Sequence, residues 1–105
     1  MTSVSLYSKN GTPVGFCITG HSTENAEDMA GKIVCSAVSS AAYMAANTIL
    51  EVIKDKCFAD VDDAEMTIKI ENPSEKSIAV LEGFSLHITE LAKQYPKNLK
   101  IISEV

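Results

Sequence analysis

The sequence predicts an α+β fold in the order ββαβαβ, with two helices packed on one face of a mainly antiparallel sheet. Three observations carry this. Apolar residues alternate with polar ones on either side of Asn10-Gly11, two long stretches carry apolar residues at helical spacing, and short alternating runs follow each stretch. A chain of 105 residues, 46% of them hydrophobic, supports one core, so residues 1–105 read as a single domain.

The elements follow in order. Val4 and Leu6 alternate with polar neighbours, Asn10-Gly11 is a hairpin signal, and Val14, Phe16 and Ile18 resume the alternation. From about Lys32 to Lys54 the period changes: Ile33, Val34, Val38, Ala41, Ala42, Ala45, Ile49, Val52 and Ile53 recur at helical spacing. This helix is rich in Ala and Ser, whose small side chains permit close approach by a sheet, a helix or a second subunit. In "DKCFADVDDAEMTIKI", Met66, Ile68 and Ile70 share one face of a strand and Asp62-Asp63 sits in the turn before it. Pro73 and Ser74 open a second helix with an incomplete capping box. Ile78, Leu81, Ser85, Ile88, Leu91 and Tyr95 follow at steps of three or four, Phe84 widens the stripe, the helix stops near Pro96, and "LKIISEV" is a last strand.

Composition narrows the function. The longest apolar run, "VCSAVSSAAYMAANTILEVI", is broken by serines, and the amino terminus has no basic segment ahead of an apolar one, so neither a membrane span nor a secretion signal is expected. Three irregularly spaced cysteines fit neither a disulfide framework nor a zinc site and predict a reducing, cytoplasmic compartment. A net charge of −5 argues against a direct nucleic-acid partner. No cofactor and no metal is predicted, because His87, between Leu86 and Ile88, has no convergent ligand set.

The residues with chemistry lie in "GFCITGHSTENAEDMAGKIVCSAVSSAAYMA". His21 falls at the end of the second strand and Cys35 in the expected first turn of the first helix. Unpaired N–H groups and the positive helix end stabilise a thiolate at such a position, and Lys32 adds to the effect. A histidine in reach could take the thiol proton and return it to a leaving amine, while helix-end N–H groups, including that of Cys35, could hold an oxyanion. Spacing alone leaves open that Cys35 is an ordinary helix cysteine. Cys17, within a strand, and Cys57, beside Phe58, carry no histidine signal nearby.

The "GH" pair, a short polar loop and "IVCSAVS" together resemble the ribosomal-processing cysteine protease (Prp) family, and "VLEGFSLHITELAKQYPKNLKI" is similar to that family's terminal helix and strand. The resemblance implies a cytoplasmic bacterial cysteine endopeptidase, usually a homodimer, that removes a short amino-terminal extension from a large-subunit ribosomal protein precursor. It implies cleavage between an aromatic and a small residue, with Cys35 as nucleophile and His21 as base. The sequence departs from the family where Lys32 replaces an Asp before the Ile-Val-Cys run, where Ser36 replaces Ala, and in a longer loop between His21 and Cys35. Glu24, Glu27 and Asp28 in that loop are candidates to orient His21, as is a backbone carbonyl, and the loop's polar residues Ser22, Thr23 and Asn25 with Gly31 suggest a gate. The competing reading is a non-catalytic ribosome-assembly or peptide-binding module that keeps the fold without the chemistry.

Overall fold

Two strands joined by a tight turn open the chain in the computed structural model, which describes residues 1–20, 29–62 and 65–104. Strands β1 (Thr2–Lys9) and β2 (Thr12–Thr19) pair antiparallel around Asn10 and Gly11, whose φ values of 54° and 79° are the left-handed pair that a two-residue hairpin turn demands. The register slips between Tyr7 and Ser8, leaving Val14 as an extra residue on β2. Pro13, which lacks an N–H for the ladder, is tolerated beside that bulge.

Helix α1 (Met29–Asn47) follows and runs directly into a π-helical turn, Thr48–Ile53, closed by Lys54 in the left-handed region at φ 65°. By length and apolar composition the continuous helix Met29–Ile53 would suit a membrane crossing. One stripe of it, Val34, Val38, Ala42, Ala45, Ala46 and Ile49, is buried in the protein core.

The chain then makes a second hairpin, β3 (Phe58–Val61) and β4 (Glu65–Lys69), followed by α2 (Glu75–Gln94) and β5 (Leu99–Glu104). The sheet order is β3-β4-β2-β1-β5, antiparallel throughout except for the parallel β1–β5 pair. Val4, Phe16, Ile18, Met66 and Ile68 on the inner face join the α1 stripe and Leu81, Phe84 and Ile88 of α2 in one core cluster. Phe16 and Phe84 stack at 4.3 Å between ring centroids, which pins α2 to β2.

The α+β class, both helices on one face and the mainly antiparallel sheet agree with the sequence expectation. Two details differ. An extra strand, β3, lies between α1 and β4, so the order among the described residues is ββαββαβ. It left no sequence signal because all four of its residues are exposed at the sheet edge, so no buried alternation marks it. Helix α1 also includes Met29, three residues before Lys32, its early part obscured by Gly31, which reads as a breaker but stands within the helix.

The second helix is capped from a distance. Ser74 is its N-cap, and its hydroxyl accepts from the Ser77 N–H at 3.3 Å. Asp55, in the segment after the π turn, places Oδ2 at the same helix end, where it accepts from Ser74 N–H (2.9 Å), Ser74 Oγ (2.7 Å) and Ser77 Oγ (2.6 Å). These three donors hold the Asp55 carboxyl below its ordinary value, the Ser77 hydroxyl contributing most.

Candidate functional site

Strand β2 leaves the sheet at Gly20, and the sequence requires glycine there for two reasons. Its φ is 70°, and a Cβ would run into the Met1 carbonyl oxygen. The Gly of the Gly-His pair is therefore a backbone device that turns the chain at the sheet's end, immediately before His21. His21 itself lies outside the described residues, as do Ser22, Thr23, Glu24, Asn25, Glu27 and Asp28 of the polar loop and Asp63 of the second turn.

Cys35 is half-buried and is the seventh residue of α1. The first-turn placement expected from sequence is thus corrected to the second turn. Only the first four N–H groups of a helix lack intrahelical acceptors, so the amide of Cys35 falls inside the helical ladder and is not an oxyanion donor by virtue of the helix end. Lys32 is exposed, one turn earlier.

The helix sets what Cys35 faces. Cys35, Ser39 and Tyr43 are four residues apart and share one stripe. Ser39 and Tyr43 line a small cleft of about 50 Å³, closed on its other sides by Ile18 of β2, Val61 and Asp62 at the end of β3, and Glu65 and Met66 of β4. Strand β2 and strand β4 end together here, with Thr19 opposite Glu65. The exit of β2 toward His21 and the Cys35 stripe of α1 are therefore at the same end of the fold. Asp62 fixes the hairpin at this end: its Oδ1 accepts from the Glu65 N–H at 2.8 Å, and its own N–H donates to the Glu65 carbonyl at 2.9 Å.

The other cysteines are built differently. All three are thiols outside any disulfide. Cys17 is buried on the sheet face away from the helices, where its Sγ lies 3.2 Å from Glu65 Oε1 and accepts from Thr67 Oγ1 at 3.3 Å. Burial pushes its thiol up, as it does for Cys57, whose Sγ contacts the Phe58 carbonyl oxygen at 3.3 Å. Burial, and then the neighbouring Cys17, likewise raise the phenol of Tyr7, over whose ring Lys69 Nζ sits at 4.6 Å from the centroid.

A wider apolar trough of about 640 Å³ runs between the helices, with Ala37, Ser40, Ala41 and Met44 of α1 facing Val80, Gly83 and His87 of α2. His87 is exposed at its rim. Among the described residues no group of three His, Cys, Asp or Glu side chains is arranged to hold a metal ion. Sequence reasoning missed Ser39, Tyr43 and the cleft. The helical period from Cys35 could have named the first two, but the strands that complete the cleft are not readable from α1.

The family model for cysteine protease Prp matches residues 1–100. Among solved structures, the ribosomal processing protease Prp of Staphylococcus aureus in complex with a substrate peptide superposes with a TM-score of 0.87 at 15% identity, covering 98% of this chain and 99% of that one. The same protease with a covalently linked product peptide gives 0.84 at 16% identity, covering 98% and 99%. SMU.848 of Streptococcus mutans gives 0.82 at 25% identity, covering 98% and 95%. No curated protein matches the sequence.

Proposed function

The chain belongs to the cysteine protease Prp family, and from that premise we propose that it is a cysteine endopeptidase with Cys35 as nucleophile and His21 as general base. The observation that carries the proposal is the half-buried Cys35 at the head of a helix stripe that descends into a cleft, at the sheet end where Gly20 hands the chain to His21.

The chemistry follows from those two side chains. The His21 imidazole accepts the Cys35 proton as Sγ attacks the scissile carbonyl carbon, and the imidazolium then returns the proton to the departing amine. Water, deprotonated by the same imidazole, attacks the thioester and restores the thiol. The oxyanion requires N–H donors other than the amide of Cys35, which the helix ladder engages.

The substrate proposed, by likeness to the relatives that are ribosomal processing proteases, is the amino-terminal extension of a large-subunit ribosomal protein precursor, cut between an aromatic and a small residue. The working form is a homodimer in the cytoplasm. The second reading, a peptide-binding module without catalysis, draws on Lys32 and on Cys35 lying beyond the helix's first turn. Incubating the protein with a peptide carrying an aromatic–small junction separates the two: a single cut supports the protease, and tight binding of an intact peptide supports the module.

A further inference from the structure

We propose that β3 receives the substrate peptide as an added strand along its open edge, a binding mode that rests on the endopeptidase reading and specifies how the substrate backbone is held.

The register determines which backbone groups are open. The Ile70 N–H donates to the Val14 carbonyl at 2.8 Å, so alternate residues of β4, Ile68 and Met66, bond toward β2, while Glu65, Thr67 and Lys69 bond toward β3. On the other side, the Asp62 N–H donates to the Glu65 carbonyl at 2.9 Å, which makes Asp62–Glu65, Asp60–Thr67 and Phe58–Lys69 the hydrogen-bonded pairs. Both constraints agree. They leave Ala59 and Val61 with N–H and C=O directed away from the sheet.

Among the described residues no strand pairs with that edge. β3 ends the sheet order, and all four of its residues are exposed, including Phe58 at 59% and Val61 at 48%. It carries neither proline nor lysine, and its pairing with β4 is without a bulge. Two donors and two acceptors repeated at about 7 Å are complementary to one kind of partner, an extended peptide backbone.

Location selects the substrate as that partner. Val61 and Asp62, at the end of β3, line the same cleft as Ser39 and Tyr43, and Cys35 stands one helical turn, about 6 Å, from Ser39 on that stripe. A strand added to β3 thus passes the end of the fold where the cleft and the Cys35 stripe of α1 lie. The opposite edge, β5, pairs with β1 on the far side of the sheet and does not line this cleft. Because side chains alternate along a strand, every second side chain of the bound peptide would face the cleft and the remainder would face solvent.

The test uses amide hydrogen exchange, read by NMR, on the Cys35→Ala protein with and without a peptide carrying an aromatic–small junction, beside cleavage by the parental protein. The expected result is slowed exchange at Ala59 and Val61 on peptide binding, with Asp60, already bonded to Thr67, unchanged. A peptide that is cut by the parent and bound by the variant without protection at Ala59 and Val61 overturns the added strand and leaves the protease reading intact. Neither binding nor cleavage overturns both. Ala59→Pro gives an independent reading, since it removes an outward N–H and no β3–β4 bond. It should raise KM for the peptide about tenfold, the value of one lost hydrogen bond. A folded Ala59→Pro protein with unchanged KM contradicts the proposal.

Discussion

Asp55 Oδ2 accepts a 2.6 Å hydrogen bond from the hydroxyl of Ser77, twenty-two residues later, and so ties the end of the π turn to the start of α2. Ser77 is fully buried, and Asp55 is the acceptor its hydroxyl finds. Because the folded protein holds the Asp55 carboxyl below its unfolded value, the carboxylate's contribution to stability is fully present above the unfolded value, about 3.9. It is lost as pH falls through the lower folded value. Asp55→Ala should therefore lower Tm at neutral pH, and the gap from the parent should narrow as the pH drops below about 4. A gap of constant size down to pH 2 would show that the carboxylate charge is irrelevant to the cap.

Two glycines should respond in opposite directions. A Cβ on Gly15 would overlap the Ile68 carbonyl oxygen in the β2–β4 ladder, whereas one on Gly83, in the interior of α2, meets no atom within 4 Å. Gly15→Ala should cost at least about 1–3 kcal/mol of unfolding free energy through forced strand displacement. Gly83→Ala should gain about 0.5–1 kcal/mol from helix propensity. Denaturant unfolding of both variants decides it, and equal midpoints would contradict the close approach of β2 to β4.

Much of this fold was legible because its signals are local. Asn10-Gly11 announces a turn with two left-handed residues, and Val4, Phe16, Ile18, Met66 and Ile68 alternate because they share the sheet face that the helices cover. What escaped is non-local or edge-bound. β3 buries nothing, the Asp55 cap joins residues 19 and 22 apart, and the depth of Cys35 in α1 depends on Met29, Ala30 and Gly31 being helical, which no apolar period marks. The motif pair Gly20-His21 and Cys35 was readable as a motif. The reason for its glycine, the left-handed turn against Met1, was not.

Gly20→Ala should accordingly impair catalysis more than folding. Displacing the chain at Gly20 displaces His21, and a misplacement of about 1 Å can cost on the order of a hundredfold in rate. The expected outcome is a kcat/KM reduced by at least about tenfold with circular dichroism unchanged. Parental kinetics in a folded Gly20→Ala protein would detach the turn from the active site.

The trough between α1 and α2 leaves the Ala and Ser face of α1, with Met44 at 65% exposure, open to solvent in one copy of the chain. Light scattering should give the mass of two chains, falling to one on dilution. A monomer mass at every concentration would contradict the homodimer.

Initial cleavage rates on a peptide with an aromatic–small junction show whether Cys35 performs the chemistry. Cys35→Ala should abolish cleavage while peptide binding and the folded spectrum persist, and Cys35→Ser should fail as well, because a hydroxyl is a far weaker nucleophile than a thiolate. His21→Ala should leave only slight activity. Cys17→Ala and Cys57→Ala, whose thiols burial keeps protonated, should cut normally. A Cys35→Ala protein that cleaves at the parental rate would show that Cys35 is not the nucleophile.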